Sequence, residues 1–319
     1  MRVLFLCIIG FHLFANDLLT AYRNDGIKDI QKQLDFELTK RGYWDGYLKD
    51  HNLNFGYIEK HSALLACEKN KSKLSLYARD DNGTFVFKKD YDAFTGKEKG
   101  DKLQEGDLKT PIGIYELTKK IDKLDSFYGP LAFVTSYPNL YDTYRGKNGS
   151  GIWIHGLPTE QERDEFTRGC IAINNSNIKC LEKRIELEDT LLIINESEIP
   201  KTISKDTVAS LLAQLYEWRY AWIYNDLEAY LSFYSEDFKR FDGMKYPEFA
   251  SYKERIFNKN EKKTIIFKEI NVIPYPNETA TYQITFKEIY ASMSFKFTGE
   301  KTLMVRIDQN NKMKIFVEK

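Results

Sequence analysis

The alternation of apolar and polar residues divides the chain into a helical start, a strand-rich middle and a mixed end. Residues 26–41 have the apolar spacing of an amphipathic helix that Gly42 ends, and a second helical run is predicted over residues 58–69. The apolar positions are Ile27, Ile30, Leu34 and Leu38 in the first run and Ile58, Leu64 and Leu65 in the second. The segment 16–69 is too small for a core of its own, so it is expected to dock on the next domain or on a second copy of the chain.

From Lys73 onward the apolar residues alternate with polar ones, which is the period of a β-strand. A hairpin is predicted over residues 73–87, with its turn at Asn82-Gly83. Further strands are predicted over residues 112–117, 131–135, 152–155 and 190–194. Short strands with few helices between them indicate a β-rich sandwich, which we assign to residues 70–198.

A polar stretch with Pro200 marks a linker, and the pattern beyond it changes to helices followed by long strands. Helices are predicted over residues 208–222 and 227–234, and strands over residues 264–273, 279–290, 293–298, 301–308 and 312–317. This order indicates an α+β domain over residues 199–319, so the whole chain is predicted to be a multidomain α+β protein. The aromatic residues on its helix faces are interpreted as core rather than as the lining of a pocket. They are Trp218, Trp222, Tyr230 and Tyr234.

Residues 1–15 have the pattern of a secretory signal peptide. Arg2 precedes an apolar run that is too short to span a bilayer, and the small residue Ala15 follows it. Attachment of a lipid at Cys7 is disfavoured because the bulky Leu6 precedes it and the apolar run continues past it. No later stretch has the length and apolarity of a transmembrane helix, so we expect an exported, periplasmic protein.

Charge and cysteine content narrow the function further. The 47 basic residues balance the 47 acidic ones, so nothing indicates a nucleic-acid-binding surface. Beyond the signal peptide the cysteines are Cys67, Cys170 and Cys180, an odd number that does not suit a disulfide framework. A bridge that spares Cys170 could join only Cys67 to Cys180, and free, buried thiols are favoured instead. The chain has no metal-ligand cluster and no glycine-rich phosphate loop, so no cofactor is predicted.

The candidate chemistry lies between residues 151 and 174. His155 closes one apolar run and Cys170 begins a second, with a polar loop between them. A nearby imidazole lowers the pKa of a thiol and so produces the nucleophilic thiolate. Gly169 leaves room for a substrate carbonyl, and the N–H groups of Gly169 and Cys170 could hold an oxyanion. Each residue alone is more often structural, so it is their combination that indicates catalysis.

This combination resembles the signature of the L,D-transpeptidase (YkuD) catalytic domain. That signature is His-Gly, a spacer, then Ser/Thr-His/Arg-Gly-Cys and an apolar tail that ends in Asn, and it is matched by His155-Gly156 and by residues 167–174. A second hallmark, Thr-Pro-x-Gly-x-aromatic, is matched within residues 107–115. The resemblance implies that Cys170 is the nucleophile, that His155 is the base and that the carbonyl of Gly156 orients the imidazole.

The order of the segments resembles the periplasmic L,D-carboxypeptidases that determine helical cell shape, in which an NTF2-like domain follows the catalytic one. The Trp-x3-Trp helix, the break at Asp226 and the helix after it resemble the start of such a domain. These enzymes remove terminal D-Ala from the tetrapeptide stem of peptidoglycan by cleaving the diaminopimelate–D-Ala bond. Arg168, Trp153 and Lys109 are candidates for binding this substrate, although Arg168 could equally form a structural ion pair.

Two alternatives remain open at this point. The same thioester could be resolved by an amine from a neighbouring stem, which would make the protein an L,D-transpeptidase that forms cross-links. The chain could also be a non-catalytic wall-binding protein whose function lies in its last domain, although the intact His-Gly and Thr-Arg-Gly-Cys elements argue against this. The related carboxypeptidases dimerise through a leading segment, so a homodimer through residues 16–69 is expected.

Overall fold

The computed structural model describes residues 4–159, 166–200 and 203–319, and it describes side chains from Leu18 onward. The predicted signal peptide therefore lies outside the residues whose side chains are described, as do residues 201–202 of the predicted linker. Among the helices of the described part, none has the length and apolarity needed to cross a membrane.

The chain begins with two helices and a short strand. They are α1 (Leu4–Glu37), α2 (Arg41–Tyr47) and β1 (Tyr57–Ile58). Gly26 interrupts α1 with a positive φ of 76°. The predicted end of the first helix is wrong, because α1 already ends at Glu37 and Gly42 lies inside α2.

Eight strands in the middle of the chain form a closed barrel. They are β2 (Ala63–Glu68), β3 (Lys73–Arg79), β4 (Phe85–Phe94), β5 (Gly113–Ile121), β6 (Ala132–Thr135), β7 (Trp153–His155), β8 (Ile171–Ile173) and β9 (Thr190–Asn195), with helices α3 (Leu140–Tyr144) and α4 (Asn175–Glu182) between them. Around the barrel their order is β2-β3-β4-β8-β7-β6-β5-β9. Strands β4 and β5 each pair with neighbours in two layers, so the predicted sandwich is closed at both edges.

The helix predicted over residues 58–69 is wrong, because half of this range, residues 63–68, is strand β2. One face of β2 points into the barrel core through Leu65 and Cys67. Its other face, with Leu64 and Ala66, packs against the C-terminal domain. A strand that is buried on both faces shows no alternation of apolar and polar residues, so its period gave no signal.

The C-terminal domain is a six-stranded sheet wrapped around helices. Its elements are α5 (Lys205–Ile223), α6 (Leu227–Ser232), β10 (Tyr234–Arg240), α7 (Tyr246–Phe257), β11 (Thr264–Pro274), β12 (Thr281–Ala291), β13 (Lys296–Ile307) and β14 (Met313–Glu318). The sheet order is β1-β11-β12-β13-β14-β10, and β10 pairs with β14 in parallel. The predicted α+β class is confirmed, whereas β10 and α7 were not predicted.

The two strands predicted over residues 293–298 and 301–308 are one strand, β13. The glycine between them, Gly299, pairs with Glu288 inside the ladder instead of forming a turn. A Cβ on Gly299 would lie 2.5 Å from the ring of Phe297, so the glycine makes room for that ring. A glycine inside a strand often marks such a close approach.

The leading segment docks on the C-terminal domain rather than on the barrel. Trp44 of α2 and Leu48, which follows the helix, belong to the core of the C-terminal domain, and β1 pairs with β11 at the edge of its sheet. Asp35 of α1 forms an ion pair of 2.9 Å with Arg219 of α5, and both side chains are nearly buried. The leading segment, helix α5 and the sheet of the C-terminal domain therefore share one core. The sequence pattern did not predict this shared core.

The barrel and the C-terminal domain pack directly against each other. An apolar cluster joins Ile114 and Ile193 of the barrel to Ile273 and Phe316 of the sheet. A Cβ on Gly113 would lie 2.5 Å from the hydroxyl oxygen of Tyr275, so the glycine of the Thr-Pro-x-Gly-x-aromatic segment admits a side chain of the C-terminal domain. The face of the barrel that carries β7 and β8 remains open for a site.

Candidate active site

The parallel pairing of β7 with β8 brings the two motif residues to one face of the barrel. Ile154 pairs with Ile171 and His155 pairs with Ala172. Ile154 and Ile171 point into the barrel core, so the side chains on either side of them point outward. His155 and Cys170 are therefore on the same outward face of adjacent strands, as the sequence predicted.

The imidazole of His155 is held by the backbone of the next residue. Its Nδ1 lies 2.7 Å from the carbonyl oxygen of Gly156, and the side chain is only 1% exposed. A carbonyl oxygen can only accept a hydrogen bond, so Nδ1 carries the proton and Nε2 keeps its lone pair. This is the arrangement of a general base.

Asn175, which the sequence analysis missed, clamps the backbone beyond His155. Its Oδ1 accepts from the amide of Leu157 at 2.8 Å, and its Nδ2 donates to the carbonyl of Leu157 at 3.0 Å. A Cβ on Gly156 would lie 2.3 Å from Oδ1 of Asn175, so only a glycine allows this approach. Asn175 thus holds in place the peptide whose carbonyl orients the imidazole.

Cys170 ends a tight loop that Thr167 organises. The hydroxyl of Thr167 donates to the carbonyl of Cys170 at 2.6 Å and accepts from the amide of Gly169 at 3.0 Å. The thiol of Cys170 is half-buried and donates to the carbonyl of Gly151 at 3.5 Å. The Gly169 amide already donates to Thr167. It could donate to an oxyanion only if it gave up that hydrogen bond.

The segment around Lys109 forms the wall next to Gly169. Gly169 has a φ of 135°, and a Cβ on it would lie 2.8 Å from the carbonyl oxygen of Lys109. Asp107 shapes this segment by accepting from Lys102 and from the amides of Leu103, Gln104 and Lys109. Burial alone would raise the pKa of Asp107, but these hydrogen bonds outweigh it and lower that pKa to about 2. The carboxylate therefore stays ionised and keeps the wall in shape.

The other predicted substrate residues differ in their surroundings. Trp153 is half-buried and its ring lies 5.1 Å from that of Tyr128, which also packs edge-on against His155 at 5.1 Å. Tyr128 was not predicted, although it precedes the Gly129-Pro130 pair that marks a turn. Arg168 is exposed and forms no ion pair within the described ranges.

Two parts of the chain match known families. Residues 64–194 match the L,D-transpeptidase catalytic domain, YkuD. Residues 210–319 match the C-terminal NTF2-like domain of Cds6. A curated relative is YafK of Escherichia coli (strain K12), whose name gives L,D-transpeptidase as a provisional activity. It is 35% identical over 79 residues, which cover 25% of this chain and only 29% of the length of YafK.

Solved structures cover much more of the chain. The helical cell shape determining protein Pgp2 from Campylobacter jejuni is 41% identical, with a TM-score of 0.80 over 88% of this chain and 99% of Pgp2. A point mutant of Pgp2 gives a TM-score of 0.82 at the same identity, over 89% of this chain and 99% of the mutant. The chain belongs to the L,D-transpeptidase (YkuD) family. Bd1075 of Bdellovibrio bacteriovorus is also similar, at 29% identity and a TM-score of 0.66 over 84% of this chain and 95% of Bd1075.

In this member of the YkuD family, the NTF2-like domain contains a cavity of about 470 Å³. Of the four aromatic residues interpreted as core, Trp222 also lines this cavity, whereas Trp218, Tyr230 and Tyr234 are packed inside. Lys253 lines it as well, with its ammonium 4.6 Å from the centre of the Trp222 ring. Burial lowers the pKa of Lys253 to about 8.

Cys67, Cys170 and Cys180 are not joined to one another by a disulfide. Cys67 is fully buried, and burial raises its pKa to about 12. Cys180 is half-buried on α4. The prediction of a buried thiol is therefore confirmed for Cys67, whereas Cys180 is only partly buried. Cys67 and Cys180 therefore serve as internal comparisons for the reactivity of Cys170.

We expect Asn175→Ala to lower turnover of peptidoglycan peptides on the order of 10- to 100-fold with little change in KM, because the candidate base His155 loses its alignment while the wall next to Gly169 stays in place. The Nδ1 proton of His155 should also exchange faster with water, which NMR of the imidazole N–H measures. Asn177→Ala is the matched control, since Asn177 lies on the same helix and accepts only from Lys89 among the described residues. An unchanged N–H signal together with unchanged turnover would contradict the role of Asn175.

Proposed function

We propose that the protein is a periplasmic L,D-carboxypeptidase that removes terminal D-Ala from the tetrapeptide stems of peptidoglycan. The observation that carries this proposal is the orientation of His155 by Gly156 on the same face of the barrel as Cys170. Similarity to Pgp2, a helical cell shape determining protein, along nearly the whole length of Pgp2 supports a role in shaping the cell wall.

In the first half of the reaction, Nε2 of His155 takes the thiol proton of Cys170. The thiolate attacks the carbonyl of the L-centre of diaminopimelate, and a tetrahedral oxyanion forms. The amide of Cys170 is the proposed donor to that oxyanion, joined by Gly169 when its hydrogen bond to Thr167 is exchanged. The imidazolium then protonates the leaving amine of D-Ala, and a thioester remains on Cys170.

In the second half, His155 activates a water that hydrolyses the thioester and releases the tripeptide stem. Trp153 and Tyr128 supply an apolar wall for the stem, while Arg168 and Lys109 are the proposed partners of its carboxylates. Arg168 suits this role because it is exposed and has no ion-pair partner within the described ranges. Entry of an amine from a second stem instead of water would give the transpeptidase alternative.

A wall-binding function for the C-terminal domain is the second candidate. The cavity beside Trp222 favours it, because Lys253 is 6% exposed there and makes no ion pair within the described residues. Glu288 and Glu318 act on this ammonium electrostatically, but neither forms an ion pair with it, so an anionic group of a ligand would stabilise it further. Wall binding is compatible with catalysis at Cys170. It would be the whole function only if the thiol had no activity.

Digestion of disaccharide tetrapeptides by the purified protein, followed by mass spectrometry, tests the reaction. We expect tripeptides and free D-Ala, and no turnover with Cys170→Ala, because that change removes the nucleophile and little packing volume. Cys180→Ala is the matched control and should keep full activity. Cross-linked products would establish the transpeptidase alternative, and unchanged stems with the wild-type protein would leave only the wall-binding function.

The activation of the thiol is tested by its rate of alkylation with iodoacetamide against pH. An ordinary thiol with a pKa of about 8.5 is about 0.3% thiolate at pH 6, whereas a thiolate stabilised by an imidazolium persists there. We therefore expect Cys170 to react at pH 6, and His155→Ala to move its profile toward that of an ordinary thiol. Cys67 is the internal control and should stay unmodified. Superimposable profiles for the two proteins would rule out the pairing of His155 with Cys170.

The homodimer is proposed to form through the exposed apolar side chains of α1. Leu19 and Ile27 are 64% and 63% exposed. We expect Leu19→Asp combined with Ile27→Asp to halve the mass measured by light scattering, because buried carboxylates would oppose association. Point substitutions are needed, since deletion of residues 16–69 would also remove α2, β1 and β2. Lys28→Ala is the control, and an unchanged mass of the double variant would reject the α1 interface.

A further inference from the structure

The loop over residues 100–110, which includes the wall of the candidate site, is held at both of its ends by one buried ammonium group. The Nζ of Lys69 donates to the carbonyl oxygen of Gly100 at 2.5 Å and to that of Thr110 at 3.0 Å. It also donates to Oε2 of Glu196 at 2.7 Å. An ammonium group has three N–H donors, so these three acceptors satisfy it although its side chain is only 3% exposed.

The parallel pairing of β2 with β9 brings this ion pair together. Glu68 pairs with Asn195 at the last register position of the two strands. Lys69 and Glu196 are the next residues along the chain, so they leave the barrel side by side. Glu196 also accepts from the amide of Gly100 at 2.9 Å. Either charge would be uncompensated if the other were lost, so the pair holds the ends of the loop in place.

The hydroxyl of Thr110 holds a second segment, residues 95–98, against this loop. Its Oγ1 accepts from the amide of Gly96 at 2.8 Å, and Thr110 is fully buried. A Cβ on Gly96 would lie 2.7 Å from the amide nitrogen of Thr110 and still closer to the carbonyl oxygen of Leu108. The two stretches of main chain therefore touch, and the hydroxyl of Thr110 fixes their alignment.

The same segment pairs on its other side with Thr167. The amide of Thr167 donates to the carbonyl of Thr95 at 2.8 Å, and its carbonyl accepts from the amide of Lys97 at 3.1 Å. The hydroxyl of Thr167 in turn holds the carbonyl of Cys170 and the amide of Gly169. The segment therefore lies between the wall loop and the loop that carries the thiol, and hydrogen bonds join it to both.

We propose that Thr110, fixed in place by Lys69, is a positioning residue for the thiol of Cys170. Both residues act through the main chain that they hold rather than on the reacting atoms. This role rests on the proposed function of Cys170 as the nucleophile. It also gives the Thr-Pro-x-Gly-x-aromatic segment a physical purpose, because its threonine supplies a side-chain acceptor and the proline after it has no N–H to satisfy.

Thr110→Val tests the proposal, because it keeps the shape of the side chain and removes the acceptor for Gly96. Amide hydrogen exchange, measured by NMR on the full chain, should become about fivefold faster at Gly96, Lys97 and Gly169, the equivalent of one lost neutral hydrogen bond. The alkylation rate of Cys170 with iodoacetamide at pH 6 should fall by a similar factor, and its pH profile should move toward that of an ordinary thiol. Thr110→Ser keeps the hydroxyl and should retain the wild-type values of both readouts.

Thr190→Val is the matched control. Thr190 is also fully buried, and its hydroxyl donates to the carbonyl of Glu186 at 2.6 Å, at the start of β9. This change should lower the melting temperature and leave both exchange at Gly169 and the alkylation profile unchanged. Lys69→Met should have a larger effect on both readouts than Thr110→Val, which decides the matter if the lysine variant does not fold.

Equal exchange rates at Lys97 and Gly169 in wild type and Thr110→Val would overturn the proposal, whatever the activity of the protein. So would an unchanged alkylation profile of Cys170, or the same changes with Thr190→Val, since either result would leave Thr110 a structural role alone. Digestion of stem peptides reports separately on the proposed function. No tripeptide from the wild type, together with the expected exchange and alkylation changes, would reject the carboxypeptidase and keep the positioning role.

Discussion

The parallel pairing of β7 with β8 is the constraint on which the site depends. Parallel neighbours cannot be joined by a tight turn, so a longer connection is needed between His155 and Cys170. The backbone is held by different hydrogen bonds at the two ends of this connection. Asn175 holds the backbone after His155, whereas Thr167 folds the loop before Cys170. Hydrogen bonds of the surrounding main chain thus help to position the two side chains.

Glycines at this site serve close packing. Gly156 lies against the amide of Asn175, and Gly169 lies against the carbonyl of Lys109. In the first case the side-chain amide is held by its hydrogen bonds to Leu157, and in the second the collision is with the main chain, so neither collision could be relieved by a simple rotation. The motif glycines therefore connect the Cys loop to the Thr-Pro segment and the His strand to α4. This explains why both motifs are needed for one site.

Much of this arrangement could be predicted from the sequence, and the failures have physical causes. The hairpin strands β3 and β4 were found because they alternate, and β7 and β9 were found as short apolar runs. Strand β2 was mistaken for a helix because it is buried on both faces and its apolar residues also fit a helical spacing. His155 and Cys170 stand at the ends of apolar runs, which is a local signal. The contribution of Asn175 could not be predicted, because its partner Leu157 lies 18 residues earlier in the chain and no local pattern links the two residues. Docking of α2 on the last domain has no local signal either, since its partners lie more than a hundred residues away.

An ionic network connects the C-terminal domain to the loop beside Cys170. Arg145 lies 3.3 Å from Asp101, which accepts from the amide of Ile112 at 2.8 Å, and 3.5 Å from Glu278 of the C-terminal domain. Lys147 joins the same network through 2.7 Å contacts to Asp101 and to the fully buried Asp142.

Removal of one partner from such a buried network leaves an uncompensated charge, so its members hold each other in place. The segment from Asp101 to Lys109, which forms the wall next to Gly169, is therefore anchored on the C-terminal domain as well as on the barrel. The last domain then contributes to the geometry of a site that it does not touch. This dependence gives a physical reason for the two domains to pack directly against each other.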